Sequence, residues 1–233
     1  MLYLIGLGLD KNDLTIRALN IIKKCKKVYL EIYTTKLPYK KLELEKIIKK
    51  KVIDAPRNIV ESDFLIKEAK KQNICLLIYG DPLSATTHLT LMNEAKKKRI
   101  KIQILHNASI FNAISQTGLH LYKFGKTASI PKWKEHYEPT SFYQIVKENL
   151  SIDAHTLLLI DPGLSLNHAL KELEEASDKE LKDKKIIICS QLGTKNQKII
   201  NGKIKDLINK KVKEPFCIII PASLHFTEAE FIK

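Results

Sequence analysis

The sequence predicts an α/β protein of two α/β domains, an N-terminal one built on a mostly parallel sheet and a C-terminal one built on a mixed sheet. Three observations predict this. Apolar runs alternate with amphipathic stretches over the first hundred or so residues, as in strands joined by helical crossovers. The rhythm then breaks over 118–140 into Gly, Pro and aromatic residues without a sustained period. When alternation resumes it contains Asn201-Gly202, a dipeptide favoured in tight hairpin turns and therefore a sign of antiparallel pairing. The boundary is placed near Tyr122, which gives domains of residues 1–122 and 123–233.

Each element follows from its local pattern. Residues 2–6 (LYLIG) read as a short buried strand. After the loop GLGLDKN a helix is expected to start at Asp13, whose carboxylate can accept from free backbone N–H groups. Leu14, Ala18, Ile21, Ile22 and Cys25 then recur at the spacing of a half-buried helix. A strand at 28–33, a helix near 40–50, a strand at 52–54, a helix near 62–71 and a strong strand at 74–79 follow. A helix near 86–98 and a strand at 100–105 complete the first half. Strands buried on both faces and joined by helices imply a parallel sheet, whose ligands bind at the carboxyl ends of the strands. Past the boundary come a helix at 141–149 behind the cap candidate Thr140, a strand at 156–161, a helix at 166–176 capped by Ser165, a strand at 185–190 and a last strand at 216–221.

Composition narrows the function classes. With 44% hydrophobic and 28% charged residues the chain has globular proportions. It lacks any run of roughly 18 apolar residues, so no membrane span is expected. Forty Lys and Arg against 26 Asp and Glu give a formal charge of +14. Much of the excess is lysine in the stretches 20–27, 45–51, 67–71 and 94–99, the pattern of solvated helix faces. Such a charge bears on solubility and encounter, and leaves open an acidic partner, whether a nucleic acid or an anionic protein patch. Cys25, Cys75, Cys189 and Cys217 show no C-x-x-C spacing, and three of them lie in or beside apolar runs, so they read as buried thiols with no zinc or redox motif. The opening LYLIGLG has no basic segment before it, so no secretory signal is expected and a reducing cytoplasmic compartment is the default.

Two nucleotide motifs fail on inspection. Gly6-Leu7-Gly8 lacks the third glycine of the dinucleotide fingerprint, since position 11 is Lys. Gly125-Lys126-Thr127 lacks the upstream Gly that a phosphate loop needs. Three polar loops are more telling. Gly6–Leu9 follows the first strand. The segment 80–88 (GDPLSATTH) follows the strongest strand and supplies permissive backbone, a carboxylate and a fixed φ in succession. His106-Asn107-Ala108-Ser109-Ile110 follows the strand at 100–105. Three such loops on one rim favour a small-molecule site.

Together the segments LYLIGLGL (2–9), GDPLSATTH (80–88), HNASIFNAISQTGLHLYKFGK (106–126), PTSFYQIVKENL (139–150), HTLLLID (155–161) and IIIPASLHFTEAE (218–230) carry a resemblance to the diphthine synthase family. That family belongs to the tetrapyrrole-methylase-like class of S-adenosylmethionine enzymes, and the likeness spans nearly the whole chain. The resemblance implies two α/β domains of the tetrapyrrole methylase type with S-adenosyl-L-methionine in the cleft between them, leaving S-adenosyl-L-homocysteine as product. It implies methylation of the amino group of 3-amino-3-carboxypropyl-histidine on translation elongation factor 2 to give diphthine, a step of diphthamide biosynthesis. It further implies a homodimer, and a reaction that requires neither a metal nor direct nucleic-acid binding. The cofactor contacts it transfers are Leu9, Asp81, Ser84, Ser109, Ile110, Ile160, Leu192 and His225.

The residues depart from the family pattern at Ser84, at Gln191-Leu192-Gly193-Thr194 and at Asp161-Pro162-Gly163. A proton must leave the amine before each transfer. His106, His120, His155 and Asp161 are the groups considered for it, and the sequence selects none as catalytic. A same-fold tetrapyrrole or RNA ribose methylase, and a non-catalytic basic binding module, are the competing readings. YKFGK and the LHF segment argue against the same-fold methylases.

Overall fold

A computed structural model describes residues 1–232. The chain forms two compact units, Met1–Phe111 and Asn112–Lys233. This division lies upstream of Tyr122, at the short helix that leaves the first sheet.

In the first unit the strands are β1 (Leu2–Gly6), β2 (Lys27–Glu31), β3 (Ile53–Ala55), β4 (Ile74–Ile78) and β5 (Ile102–Leu105). They are joined by α1 (Ile16–Lys24), α2 (Lys41–Ile48), α3 (Arg57–Val60), α4 (Phe64–Lys71) and α5 (Leu89–Lys97), and α6 (Ile110–Ala113) follows β5. The sheet order is β3-β2-β4-β1-β5 and every pair is parallel. The two-residue period of a strand explains why these runs are apolar throughout. Ile5, Leu30, Cys75 and Leu77 face the layer made with Ile22 and Leu44. Leu4, Tyr29 and Leu76 face the opposite layer, made with Leu65 and Ile66.

Helix α1 begins at Ile16, not at Asp13. Its cap is Thr15, whose Oγ1 accepts the Ala18 N–H at 3.1 Å. Asp13 lies two residues too early and serves the preceding loop, accepting the N–H groups of Leu9 (2.9 Å) and Asp10 (2.8 Å) on Oδ2.

The second unit contains β6 (Ala128–Ile130), α7 (Ser141–Ser151), β7 (Thr156–Ile160), α8 (Leu166–Ala176), β8 (Lys185–Ser190), β9 (Lys198–Lys203), α9 (Ile204–Leu207), β10 (Phe216–Ile220) and α10 (Phe226–Phe231). The order is β6-β7-β10-β8-β9, parallel only between β6 and β7, so the sheet is mixed. Val146, Leu158, Leu170, Leu173, Ile188 and Ile218 pack in a single core. Ser165 caps α8 through the His168 N–H, whereas the Thr140 side chain makes no capping bond to α7.

Asn201-Gly202 is not a turn. Both residues lie inside β9, opposite Ile187 and Ile186, and the connection between β8 and β9 runs through 191–197. Gly202 instead leaves room for Leu207, since a Cβ there would lie 3.3 Å from Leu207 Cδ2. All four cysteines are buried and free. Among the described residues no helix is long and apolar enough to cross a membrane.

Candidate functional site

Strands β4, β1 and β5 are neighbours and parallel, so their carboxyl ends deliver the three polar loops side by side. Gly8 and Gly80 exchange backbone hydrogen bonds, Gly8 N to Gly80 O at 3.2 Å and Gly80 N to Gly8 O at 2.9 Å. The approach depends on glycine. A Cβ on Gly6 would lie 2.6 Å from the Gly80 carbonyl oxygen, and one on Gly8, at φ +73°, 2.4 Å from Asp13 Cβ. Asn107 closes the arrangement from the third loop, its Nδ2 donating to the carbonyls of Gly6 and Asp13, both at 3.0 Å.

Asp81 links two of the loops. Its Oδ1 accepts the Leu83 N–H at 2.9 Å and the Ser84 hydroxyl at 3.4 Å. Its Oδ2 accepts the His106 ring at Nδ1 (2.7 Å) and the Asn107 N–H (3.2 Å). Burial alone would push this carboxyl up. The donors from Leu83, His106 and Asn107 outweigh burial and hold it below the usual carboxylate range, so Asp81 is ionised at neutral pH. The His106 side chain is 67% exposed with Nδ1 committed to Asp81, which leaves Nε2 as its accessible nitrogen.

The other expected contacts of the first unit gather on the same rim. Leu9 is buried, its carbonyl accepting the Tyr79 hydroxyl at 3.1 Å. Ser84 is half-buried beside Asp81, Ser109 is buried, and Ile110 is half-buried at the start of α6.

In the second unit the expected residues divide. Strands β7 and β8 both pair antiparallel with β10, so they run in the same direction. Ile160, ending β7, and Leu192, just past β8, therefore lie at one end of that sheet. His225 follows β10 and lies at the other end, where it begins α10 and packs against Phe226 (4.2 Å between ring centroids) and His120 (5.3 Å). There the fully buried Glu228 accepts the N–H groups of His120 and His225, both at 2.8 Å, and pairs with buried His155 at 3.2 Å. The Ala222 N–H donates to His155 Nδ1 at 2.9 Å, so Nε2 carries the proton given to Glu228. Burial opposes the charge on Glu228, but the two backbone N–H groups and His155 prevail and bring its pKa down to about 2. His155 is therefore a framework residue, and Asp161 likewise accepts a backbone N–H, from Lys132.

Asn107 was expected only as a member of its polar loop, without a role, and Glu228 was not expected to form a site. Asn107 had a signal, an amide side chain directly after a strand at the loop rim. Glu228 had the helix-start spacing His225-x-x-Glu228.

Comparison with known proteins identifies the family. Residues 1–208 match the family described as Tetrapyrrole (Corrin/Porphyrin) Methylases. A protein of Methanocaldococcus jannaschii named diphthine synthase is 42% identical over 251 residues, an alignment that spans all of this chain and 98% of that one. The chain belongs to the diphthine synthase family of tetrapyrrole methylases. A Schizosaccharomyces pombe relative, named diphthine methyl ester synthase, is 36% identical over all of this chain and 93% of its own. A crystal structure titled diphthine synthase superposes with a TM-score of 0.92 at 33% identity, covering all of this chain and 94% of that chain. The fold expected from the sequence, two α/β halves with a parallel and a mixed sheet, is that of this family.

Proposed function

We propose that the chain is an S-adenosylmethionine-dependent N-methyltransferase acting on the amino group of 3-amino-3-carboxypropyl-histidine in translation elongation factor 2 to give diphthine. The observation that carries this reading is full-length similarity to proteins named diphthine synthase, in a chain whose 80–88 and 106–110 loops converge on an ionised carboxylate. The residues present fit the cofactor. Its sulfonium and ammonium are cationic, which suits Asp81, while apolar Leu9 and Ile110 suit its adenine and the carbon chain flanking the sulfur. Ser84 and Ser109 are assigned to its polar groups. Ile160, Leu192 and His225 are assigned contacts by resemblance, with Ile160 and Leu192 acting as a pair.

The bound cofactor supplies an activated methyl group on its sulfur. The work of the chain is then positional: the loops hold the cofactor in one pose, and the amine nitrogen must be brought neutral and in line to about 3–3.5 Å. No protein nucleophile is needed. We assign no general base. The first unit presents His106 Nε2 as an accessible proton acceptor, while His155 is occupied in its buried pair. A homodimer and a cytoplasmic location complete the proposal, the latter supported by four buried, free thiols.

The test is incubation with labelled S-adenosylmethionine and elongation factor 2 carrying the unmethylated 3-amino-3-carboxypropyl-histidine, read by intact mass. Three amine methyl groups and no ester are expected. A base-labile fourth group would assign the methyl ester activity by which the S. pombe relative is named. No mass gain would sink the proposed reaction.

A further inference from the structure

The crossovers of the first unit collect basic residues at one end. Helices α1, α2, α4 and α5 run back toward the amino ends of the strands and finish where β2, β3, β4 and β5 begin. The turns there read KKCKK at 23–27, KKK at 49–51, KK at 70–71 and KKKRIK at 96–101. They hold 14 Lys and Arg with no Asp or Glu, and 11 of the 14 are exposed. Hydrogen bonds join the turns into one surface. Lys26 N donates to Asn73 O (2.8 Å), Leu2 N donates to Lys101 O (3.0 Å), and Lys50 Nζ reaches the Lys23 and Cys25 carbonyls (2.8 and 2.5 Å).

Carboxylates from elsewhere reach few of these cations: Glu68 pairs with Lys27, Glu45 with Lys51, Glu94 with Lys97 and Asp63 with Lys98. The imbalance belongs to this unit. Met1–Phe111 carries 22 Lys and Arg against 11 Asp and Glu, the remainder 18 against 15.

A cation in the last turn of a helix complements its macrodipole, an effect that fades beyond that turn. The array continues past the helices through Lys26, Lys50, Lys51, Arg99 and Lys101, so the dipole does not account for it. Its composition points to a particular partner. Protein interfaces favour aromatic, Met and Arg anchors and are poor in Lys. This surface offers 13 lysines, one arginine and no aromatic side chain within the four turns, which makes it a set of mobile point charges suited to phosphate. With neighbouring strands about 4.8 Å apart, the five-stranded edge is about 19 Å long.

We propose that the amino-end face of the first unit binds the phosphate backbone of a nucleic acid, independently of base sequence and at the end of the sheet opposite the loop rim. The inference does not depend on methyl transfer, and its test is separate. Fluorescence anisotropy with labelled uridine and thymidine homopolymers of about twenty nucleotides should show binding to both, with log affinity falling linearly against log salt. The variant Lys24→Gln/Lys49→Gln/Lys71→Gln/Lys96→Gln should bind about tenfold more weakly at fixed salt, its slope reduced by about 0.7 for each phosphate no longer neutralised. The same four positions as Lys→Arg should restore binding. A control with equal charge removed from the second unit, Lys195→Gln/Lys198→Gln/Lys211→Gln/Lys213→Gln, should bind as the parent does.

Failure of the parent to bind at low salt overturns the proposal. Equal weakening in both glutamine variants overturns it by reducing the effect to net charge. Displacement of the oligonucleotides by poly-glutamate at equal charge would reassign the face to an acidic protein. If melting curves show that the fourfold variant is unfolded, the four single variants carry the same test, each lowering the slope by about 0.7.

Discussion

Both carboxylate oxygens of Asp81 are occupied by donors from its own loop and from the 106–110 loop, so removing the side chain unties the rim as well as discharging it. Asp81→Ala should weaken S-adenosylmethionine binding in calorimetry by about tenfold or more. It should lower stability by about 1–3 kcal/mol, the cost of leaving the Leu83 and Asn107 N–H groups without a partner. Loss of binding with no change in melting would show that the carboxylate acts on the ligand alone.

Glu228 behaves differently with pH. Its folded pKa of about 2 lies below the ordinary 4.5, so the stability it contributes is complete above about 4.5 and is lost as pH falls toward 2. His155 is also depressed, mainly by burial, so the unfolded chain takes up its proton first as the solution falls below 6.5. Chemical denaturation of the wild type should thus weaken in two stages on acidification. Glu228→Gln should remove the lower stage and cost about 3 kcal/mol at neutral pH. The loop rim was legible from the sequence because polar segments follow β4 and β5 within a few residues, bringing Asp81 and Ser109 to one end of the sheet. The cluster at Glu228 was not legible, because its partners His120 and His155 come from distant parts of the chain.

At the scale of elements, the first sheet was readable because each of its central strands is apolar on both faces and is followed by a helix of matching period. The errors lie where a local signal had a competitor. Asp13 is a good cap residue two positions ahead of Thr15, the residue at the helix start, and it went instead to the two free N–H groups of the glycine loop. Asn201-Gly202 favours a turn only when the flanking strands allow it. Here Lys198–Lys203 pairs along its whole length with β8, and ladder hydrogen bonds override the dipeptide. Strand β6 was missed because it lies in the stretch 118–140, where Gly, Pro and aromatic residues hide any period. Thr15→Ala should cost about 1 kcal/mol in denaturant unfolding, the usual value of a helix cap. Gly8→Ala should cost more, about 2–4 kcal/mol, because it adds a collision with Asp13 to an unfavourable positive φ. An equal loss in the two variants would mean that the glycine loop relaxes freely.

For the whole molecule, the charge is better described by its distribution than by its sum. An excess of 11 positive charges lies on the first unit and only three on the second. If this field steers the protein substrate, methylation of elongation factor 2 at limiting concentration should slow as salt rises from low to physiological strength, with turnover at saturation unchanged. A salt-insensitive rate would remove steering from the account. The two sheets also share an arrangement that bears on how the chain is made. Strand β1 leaves the ribosome well before its neighbours β4 and β5, so it must wait until Leu105 has been synthesised to be enclosed. Strand β10 follows β7 and β8 in the chain yet sits between them, so they remain unbridged until it arrives. Each half is thus closed by a long-range pairing. Nascent chains stalled before Phe216 would hold a finished first sheet beside an open second one, the state most exposed to misassembly.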